Sequence, residues 1–562
     1  MAEVPIIRIC SLGFIALVAA GLASAPALAV RGDNALALNR FVEARLAESS
    51  DELIAAAALY AESLKAQPDN ILLAGKAYVN AVEVGDFALA LKAVETVRLR
   101  GQIEPEMPLL PFAEAFAQRD WKRAGLAIDE LDALENFSFM EPFLQAWVAT
   151  ARGRSGYAAL TRAKTSTTGR YYLEEQLILY FLANGQEESA LGLLNALVQR
   201  KESRMGPVRI LAARHFWAKN ASETARALLQ SPTSGPELRL LQQIEAGQKR
   251  GVAQKVDAAI GLAFLFQRLS NDLAVQRAHF PAQVMAQVGT RLAGASDYAH
   301  LTRARAYASA ENNKLAALEF SKIGDHSPYY LTALSSEVSL LVASAEYDKA
   351  MARLERAIDS NAEAPELHIL KGQALQARNQ HAAAAGSFET AIVLAENLQR
   401  SDALLANYWL ALGGAQEQAG LWPEGLQSLQ KANALAPDSP AILNYLGYAQ
   451  LERRENKEAA VAAIKRAHEL RSTSPAITDS LGWAYFVTGE HERAVGYLET
   501  ALQGQPQDPI INEHLGDAYW SVGREFEARY AWQSAKLFAE EADEQRLASK
   551  IDLGLRPDLI AP

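Results

Sequence analysis

Leu481-Gly482-Trp483-Ala484-Tyr485 and Leu515-Gly516-Asp517-Ala518-Tyr519 are two copies of one pattern, set 34 residues apart. Between Ile477 and Ala535 the first copy continues as Ala494, Leu498, Ala501 and Pro506, and the second as Ala528, Trp532 and Ala535. The spacings have a direct physical reading. Leu481, Gly482 and Tyr485 share one face of a first helix, because residues three and four apart are neighbours there. Ala494, Leu498 and Ala501 do the same on a second helix. Gly482 and Ala494 mark the place where the two helices cross closely. Gly489-Glu490 makes the turn between them, and Pro506 stops the second helix. Such a pair cannot bury its apolar faces alone, so it must stack on neighbours.

Working outward, the alanine at the crossing serves as a ruler. It recurs at Ala56, Ala90, Ala124, Ala158, Ala190 and Ala225, at steps of 34, 34, 34, 32 and 35. Each has companions further along, such as Tyr60 with Ser63, Val94 with Val97 and Ile128 with Leu131. The next marker, Ala282, is 57 residues on, which fits neither one unit nor two. Here Ser231–Gly235 is rich in turn formers, Gln242–Gln254 is polar and Ala258–Leu269 is strongly apolar. This interval reads as a break in the array and a candidate hinge. The register resumes at Ala282, Ala316, Ala350 and Ala384, then steps 41 residues to Gly425. Seven extra residues around Glu396–Asp402 are expected to lengthen two helices. Ala460, Ala494 and Ala528 complete the series. The charge-dense Glu540–Lys550 suits the polar capping helix that an open array end needs, with Leu553–Pro562 as a loose tail.

The 34-residue period with this residue set resembles the tetratricopeptide repeat, a helix–turn–helix unit. That resemblance implies an all-α fold, an α-solenoid built as a right-handed superhelix of about fourteen repeats. The expected organisation is a signal segment at 1–29, a degenerate array at 30–230, and an irregular junction at 231–281. A regular array at 282–536 and a cap with tail at 537–562 follow. In this family the first helix of each pair lines a concave groove. Partner-contacting positions there lie two residues before the leucine of the Leu-Gly pair, and two and five after it. The resemblance therefore places Asn444, Tyr448 and Leu451, then Asp479, Trp483 and Phe486, then Glu513, Asp517 and Trp520 on the groove. Tyr448, Asp479, Trp483, Phe486, Glu513, Asp517 and Trp520 form the candidate partner site. Its large rings are expected to be partly exposed, since aromatic side chains with few polar groups suit binding hot spots. The Lys/Asn clamp with which some of these domains hold a terminal carboxylate is absent.

Composition narrows the partners. The formal net charge is −11, with no basic run. Nucleic acid, which needs clustered Lys and Arg to displace counterions, is thereby disfavoured. Met1–Ala29 reads as a secretory signal: Arg8 precedes an apolar run, and Ala27-Leu28-Ala29 is a cleavage site before Val30. The single cysteine, Cys10, lies in this segment without a lipoprotein signal around it. The expectation is a periplasmic protein with no stable membrane insertion after cleavage. The alternative is an inner-membrane anchor formed by the uncleaved segment.

No enzyme signature stands out, and no catalytic, metal or cofactor site is expected. Gly153-Arg154-Ser155-Gly156 lacks the spacing and strand setting of a nucleophile elbow. Asn512-Glu513-His514 looks like an acid/base or metal group, but His514 directly precedes a packing pair and reads as an inter-repeat hydrogen-bonding residue. The order of parts resembles bacterial envelope adaptors that bring together carboxy-terminal processing proteases and peptidoglycan hydrolases. The reading is thus a non-catalytic scaffold with a protein or peptide partner and no small-molecule substrate. The alternative is a scaffold subunit of an exopolysaccharide or envelope export complex. The oligomeric state is left open.

Overall fold

The computed structural model describes residues 32–561, apart from 51, 100–102, 135, 201–202, 231, 233 and 295. The signal segment at 1–29 lies outside the described residues. Among the described residues there are thirty α-helices and no strand. They form an α-solenoid of consecutive helix pairs, as the ruler requires. Ala56, Ala90, Ala124, Ala190 and Ala225 are fully buried, as are Ala282, Ala316, Ala350, Ala384, Ala460, Ala494 and Ala528. The Leu-Gly glycines explain why these markers must be small. A Cβ on Gly482 would come 2.7 Å from Leu498, and one on Gly516 would come 2.4 Å from Trp532. Each glycine therefore faces a large residue sixteen positions on, across the crossing. Gly489 and Gly523, also 34 apart, close their helices in the left-handed region. Pro365, Pro440, Pro475 and Pro509 open theirs at the first turn, where a missing N–H costs nothing. The long 41-residue step is taken up as expected by two long helices, His381–Asn397 and Asp402–Gln418, each of 17 residues.

One marker is wrong. Ala158 is exposed. The small residue at that crossing is Gly156, whose Cβ would meet the Ala146 carbonyl at 2.2 Å. Leu160 and Ala163 are its buried companions. The following helix, Tyr157–Arg162, has only six residues, so the repeat is cut short and its crossing moves two positions upstream.

Packing divides the chain into two units, Met1–Glu346 and Tyr347–Pro562. The expected junction at 231–281 is no boundary, because it lies deep inside the first unit. The helices Ala258–Val275 and His279–Ala293 pack side by side into the inner face of the early repeats. Trp147 covers Gly261 so closely that a Cβ there would lie 2.1 Å from the ring. Tyr172 donates to Asp272 at 2.8 Å, Gln287 donates to the Val82 carbonyl at 2.6 Å, and Arg291 pairs with Glu114 at 2.7 Å. Arg268 pairs with the buried Glu175 at 3.2 Å. The apolar run at 258–269 is apolar nearly all round because repeats cover one side and its own partner the other. The polar stretch before it is pinned too: Arg214 donates to the carbonyls of Gly251 and Val252, and Trp217 to that of Gln248.

The second unit holds five consecutive pairs from Pro365 to Phe538, closed by the helix Glu541–Leu553. Its last three inner helices are Pro440–Glu452, Pro475–Val487 and Pro509–Ser521.

Candidate functional site

The seven candidate residues sit together on these three inner helices, but five of them are buried. Tyr448 and Trp520 are half-buried, whereas Asp479, Trp483, Phe486, Glu513 and Asp517 are covered. Trp483 is 2% exposed. The expectation of partly exposed rings is therefore corrected for Trp483 and Phe486. Trp483 is sandwiched between Phe486, at 4.7 Å, and His514 of the next inner helix, at 4.1 Å, both nearly parallel to it. Phe486 and Trp483 share an apolar cluster with Leu451, Leu515 and Ala561.

The polar groups are as thoroughly engaged. Asp479 accepts from His514 Nδ1 at 3.0 Å. Burial pushes the His514 imidazole down, but Asp479 beside it, with Asp517 and Glu513 beyond, holds it above its ordinary value. Glu513 accepts from Arg546 Nε at 2.9 Å and Nη2 at 2.8 Å, and from Lys550 Nζ at 2.7 Å. Burial would raise its carboxyl, and these two cations keep it below the usual carboxylate range. Asp517 is a hub. It accepts from Lys550 Nζ at 2.7 and 2.8 Å, from Trp532 Nε1 at 2.8 Å and from the backbone N–H of Ala561 at 2.9 Å. Both Asp517 and Lys550 are fully buried.

The covering therefore comes from the chain itself. The helix expected to be a polar cap places Lys550 and Leu547 in the interior. The tail expected to be loose is held at both ends: Gly554 lies on the Trp520 ring, and Ala561 is only 6% exposed. Asn512, Glu513 and His514 point to different partners, the first to the carbonyls of Pro506 and Asp508, so they form no common acid/base group. His514 is the inter-repeat hydrogen-bonding residue that its position indicated. Among the described residues, no group of three or more His, Cys, Asp or Glu could hold a metal ion. Among those residues too, no helix is long and apolar enough to cross a membrane.

The profile described as tetratricopeptide repeat matches residues 336–398, 410–475 and 480–542. These three stretches are tetratricopeptide repeats. No curated protein matches the sequence. Solved structures similar to it include TTC0263, a thermophilic repeat protein of Thermus thermophilus. That match has 26% identity over 34% of this chain and 100% of the other, with a TM-score of 0.30. MamA matches at 23% identity over 36% of this chain and all of its own, with a TM-score of 0.25. The hetero-tetramer Cut9–Hcn1 matches at 15% identity over 94% of this chain and 90% of that one, with a TM-score of 0.37.

Sequence reading missed Arg546, Lys550 and Ala561. A signal for the first two was available. Glu513 and Asp517 are four residues apart, so both carboxylates lie on one helix face, and Arg546 and Lys550 repeat that spacing with opposite charge. Also missed was an exposed apolar face on the last second helix, Glu525–Phe538. Phe526 is 80% exposed, Tyr530 68% and Leu537 79%. One repeat earlier, the same register holds Glu492, Gly496 and Gln503.

Proposed function

We propose that the chain is a non-catalytic adaptor of the bacterial periplasm that takes a protein or peptide segment on the inner wall of its last three helix pairs. Interaction with other proteins is the general work of tetratricopeptide repeats; compartment, partner and site are the proposal. One observation carries it: that inner wall already holds the end of a bent stretch of polypeptide, the chain's own residues 555–561, through the backbone N–H of Ala561 and small apolar contacts. An array that accommodates a segment of itself has the shape and chemistry to accommodate one from elsewhere. The exposed Phe526, Tyr530 and Leu537 give a second surface of the kind that marks protein contact.

The sequence-derived partners are an envelope protease or a peptidoglycan hydrolase. The test is capture from envelope extract by the intact chain and by Tyr448→Ala, with the mass of the exported protein measured alongside. A mature terminus at Val30, and capture of a protease or hydrolase that Tyr448→Ala weakens, supports the proposal. Capture of export components favours the exopolysaccharide alternative. A mass that retains Met1–Ala29 contradicts the soluble periplasmic assignment.

A further inference from the structure

The inner wall at the end of the second unit is acidic in sequence and neutral in structure. Asp479, Glu513 and Asp517 are met by His514, Arg546 and Lys550. Both external cations belong to the capping helix, whose Leu547 packs in the interior with Trp532 and Ala535. That helix is part of the fold and cannot leave without opening a core. The tail after it is different. It touches the wall at its two ends, Gly554–Leu555 and Ala561, while Arg556, Pro557, Asp558 and Ile560 between them stand exposed. One backbone bond, from Leu559 N–H to the Arg556 carbonyl at 2.9 Å, bends this span.

The two anchors have a plain chemistry. At the first, Gly554 lies flat on Trp520, where a Cβ would approach the ring to 2.2 Å. At the second, the Ala561 N–H donates to Asp517 while its methyl joins the apolar cluster of Leu451, Trp483 and Phe486. Gly554 also closes the capping helix, its N–H donating to the Lys550 carbonyl at 2.9 Å, and so stays with the fold; nothing in the second anchor is peculiar to a covalently attached tail. An N–H and a methyl can be supplied by any protein segment. Because Lys550 and Arg546 neutralise the carboxylates whether or not the tail is seated, an incoming segment needs no charge of its own at this point.

We propose that residues 555–561 are an exchangeable internal occupant of a peptide site, and that its external ligand is a segment of a partner protein carrying a small apolar residue whose backbone N–H reaches Asp517. The proposal rests on the interaction reading above and adds to it a ligand class and a gate. A partner must compete with a tethered segment, so its apparent affinity is reduced by the fraction of molecules in which the tail is away.

The probe is a labelled octapeptide with the sequence of residues 555–562, followed by fluorescence anisotropy. Three proteins are compared: the intact chain, the full chain with Ala561→Glu, and the chain ended at Gly554. Glu at position 561 would bury a carboxylate among Leu451, Trp483 and Phe486 and expel the tail without shortening the chain. The expected result is saturable uptake by both altered proteins, at least roughly tenfold weaker uptake by the intact chain, and no uptake of a peptide carrying the same Ala561→Glu change. Melting of the altered proteins should match that of the intact chain. Equal uptake by all three proteins, or none by a well-folded altered one, overturns the proposal. Loss of cooperative melting in both altered proteins also overturns it, because the tail would then be part of the fold. Failed peptide uptake with partner capture preserved removes this inference alone; failed capture with uptake preserved removes the adaptor reading alone.

Discussion

Trp483 shows how a residue placed correctly by spacing can be given the wrong exposure. Its register on the inner helix follows from the Leu-Gly pair, but His514 and Phe486 close on its two faces. Neither stacking partner can be inferred from position alone, since aromatic residues at helical spacing serve both grooves and cores. Trp483→Ala should therefore cost about 3–5 kcal/mol of stability, read as a shifted denaturation midpoint. The buried pair of Lys550 and Asp517 makes a similar point about charge. Lys550→Met leaves the buried Asp517 carboxylate without its cation, and breaking such a pair costs about 3–5 kcal/mol. By contrast, Glu490→Gln on the exposed turn should stay within about 0.5 kcal/mol, and Ala494→Phe, at a fully buried crossing, should cost about 1–3 kcal/mol. His514 adds a pH dependence. Asp479, with Asp517 and Glu513 beyond, raises its folded-state pKa above the unfolded value, so its proton is bound more tightly in the fold. That contribution is complete below the unfolded value and is lost as pH rises through the raised one. The slope from this one group can reach about 1.4 kcal/mol per pH unit. Melting across pH 6–9 (roughly the range above an ordinary imidazole) should flatten in His514→Gln.

At the scale of elements, the alanine ruler made most of the fold readable, because close crossings leave no room for anything larger. It failed where a helix was short. Gly156, two residues before the chosen Ala158, holds the crossing that the six-residue helix Tyr157–Arg162 allows. It also failed to identify the role of 258–293. An apolar helix next to polar, turn-rich sequence reads as a junction when only neighbours in sequence are considered. Its true neighbours are Trp147, Tyr172 and Val82, reached only through the curvature of the repeats. The inserted pair should accordingly behave as core. Gly261→Val drives a branched side chain into Trp147, and overpacking of this kind typically costs about 1–3 kcal/mol. Two-probe thermal unfolding should show the transition of the first unit lowered and that of the second unchanged. Equal shifts in both would mean that the pair is not confined to the first unit. In the capping helix, the i, i+4 match of Arg546 and Lys550 to Glu513 and Asp517 was legible as complementarity, but only once the two helices are known to face each other.

For the whole molecule, the fold class follows from local spacing, while the state of the inner wall depends on a segment well further along the chain. Stability in a repeat array is close to a sum of neighbouring interfaces, and both inner faces described here are filled by the chain's own later sequence. In the first unit the filling is two whole helices, with many hydrogen bonds and ion pairs. In the second it is a tail held at two points, with exposed residues between them. The central claim is that the tail occupies this wall, and amide hydrogen exchange of residues 554–561 in the intact chain tests it most directly. The Ala561 N–H, buried and bonded to Asp517, should exchange at least roughly tenfold more slowly than in an unstructured peptide, with that protection abolished by Ala561→Glu. Exchange of Ala561 at the unstructured rate in the intact chain would contradict the account, since the wall would then be open and its ligand site unguarded.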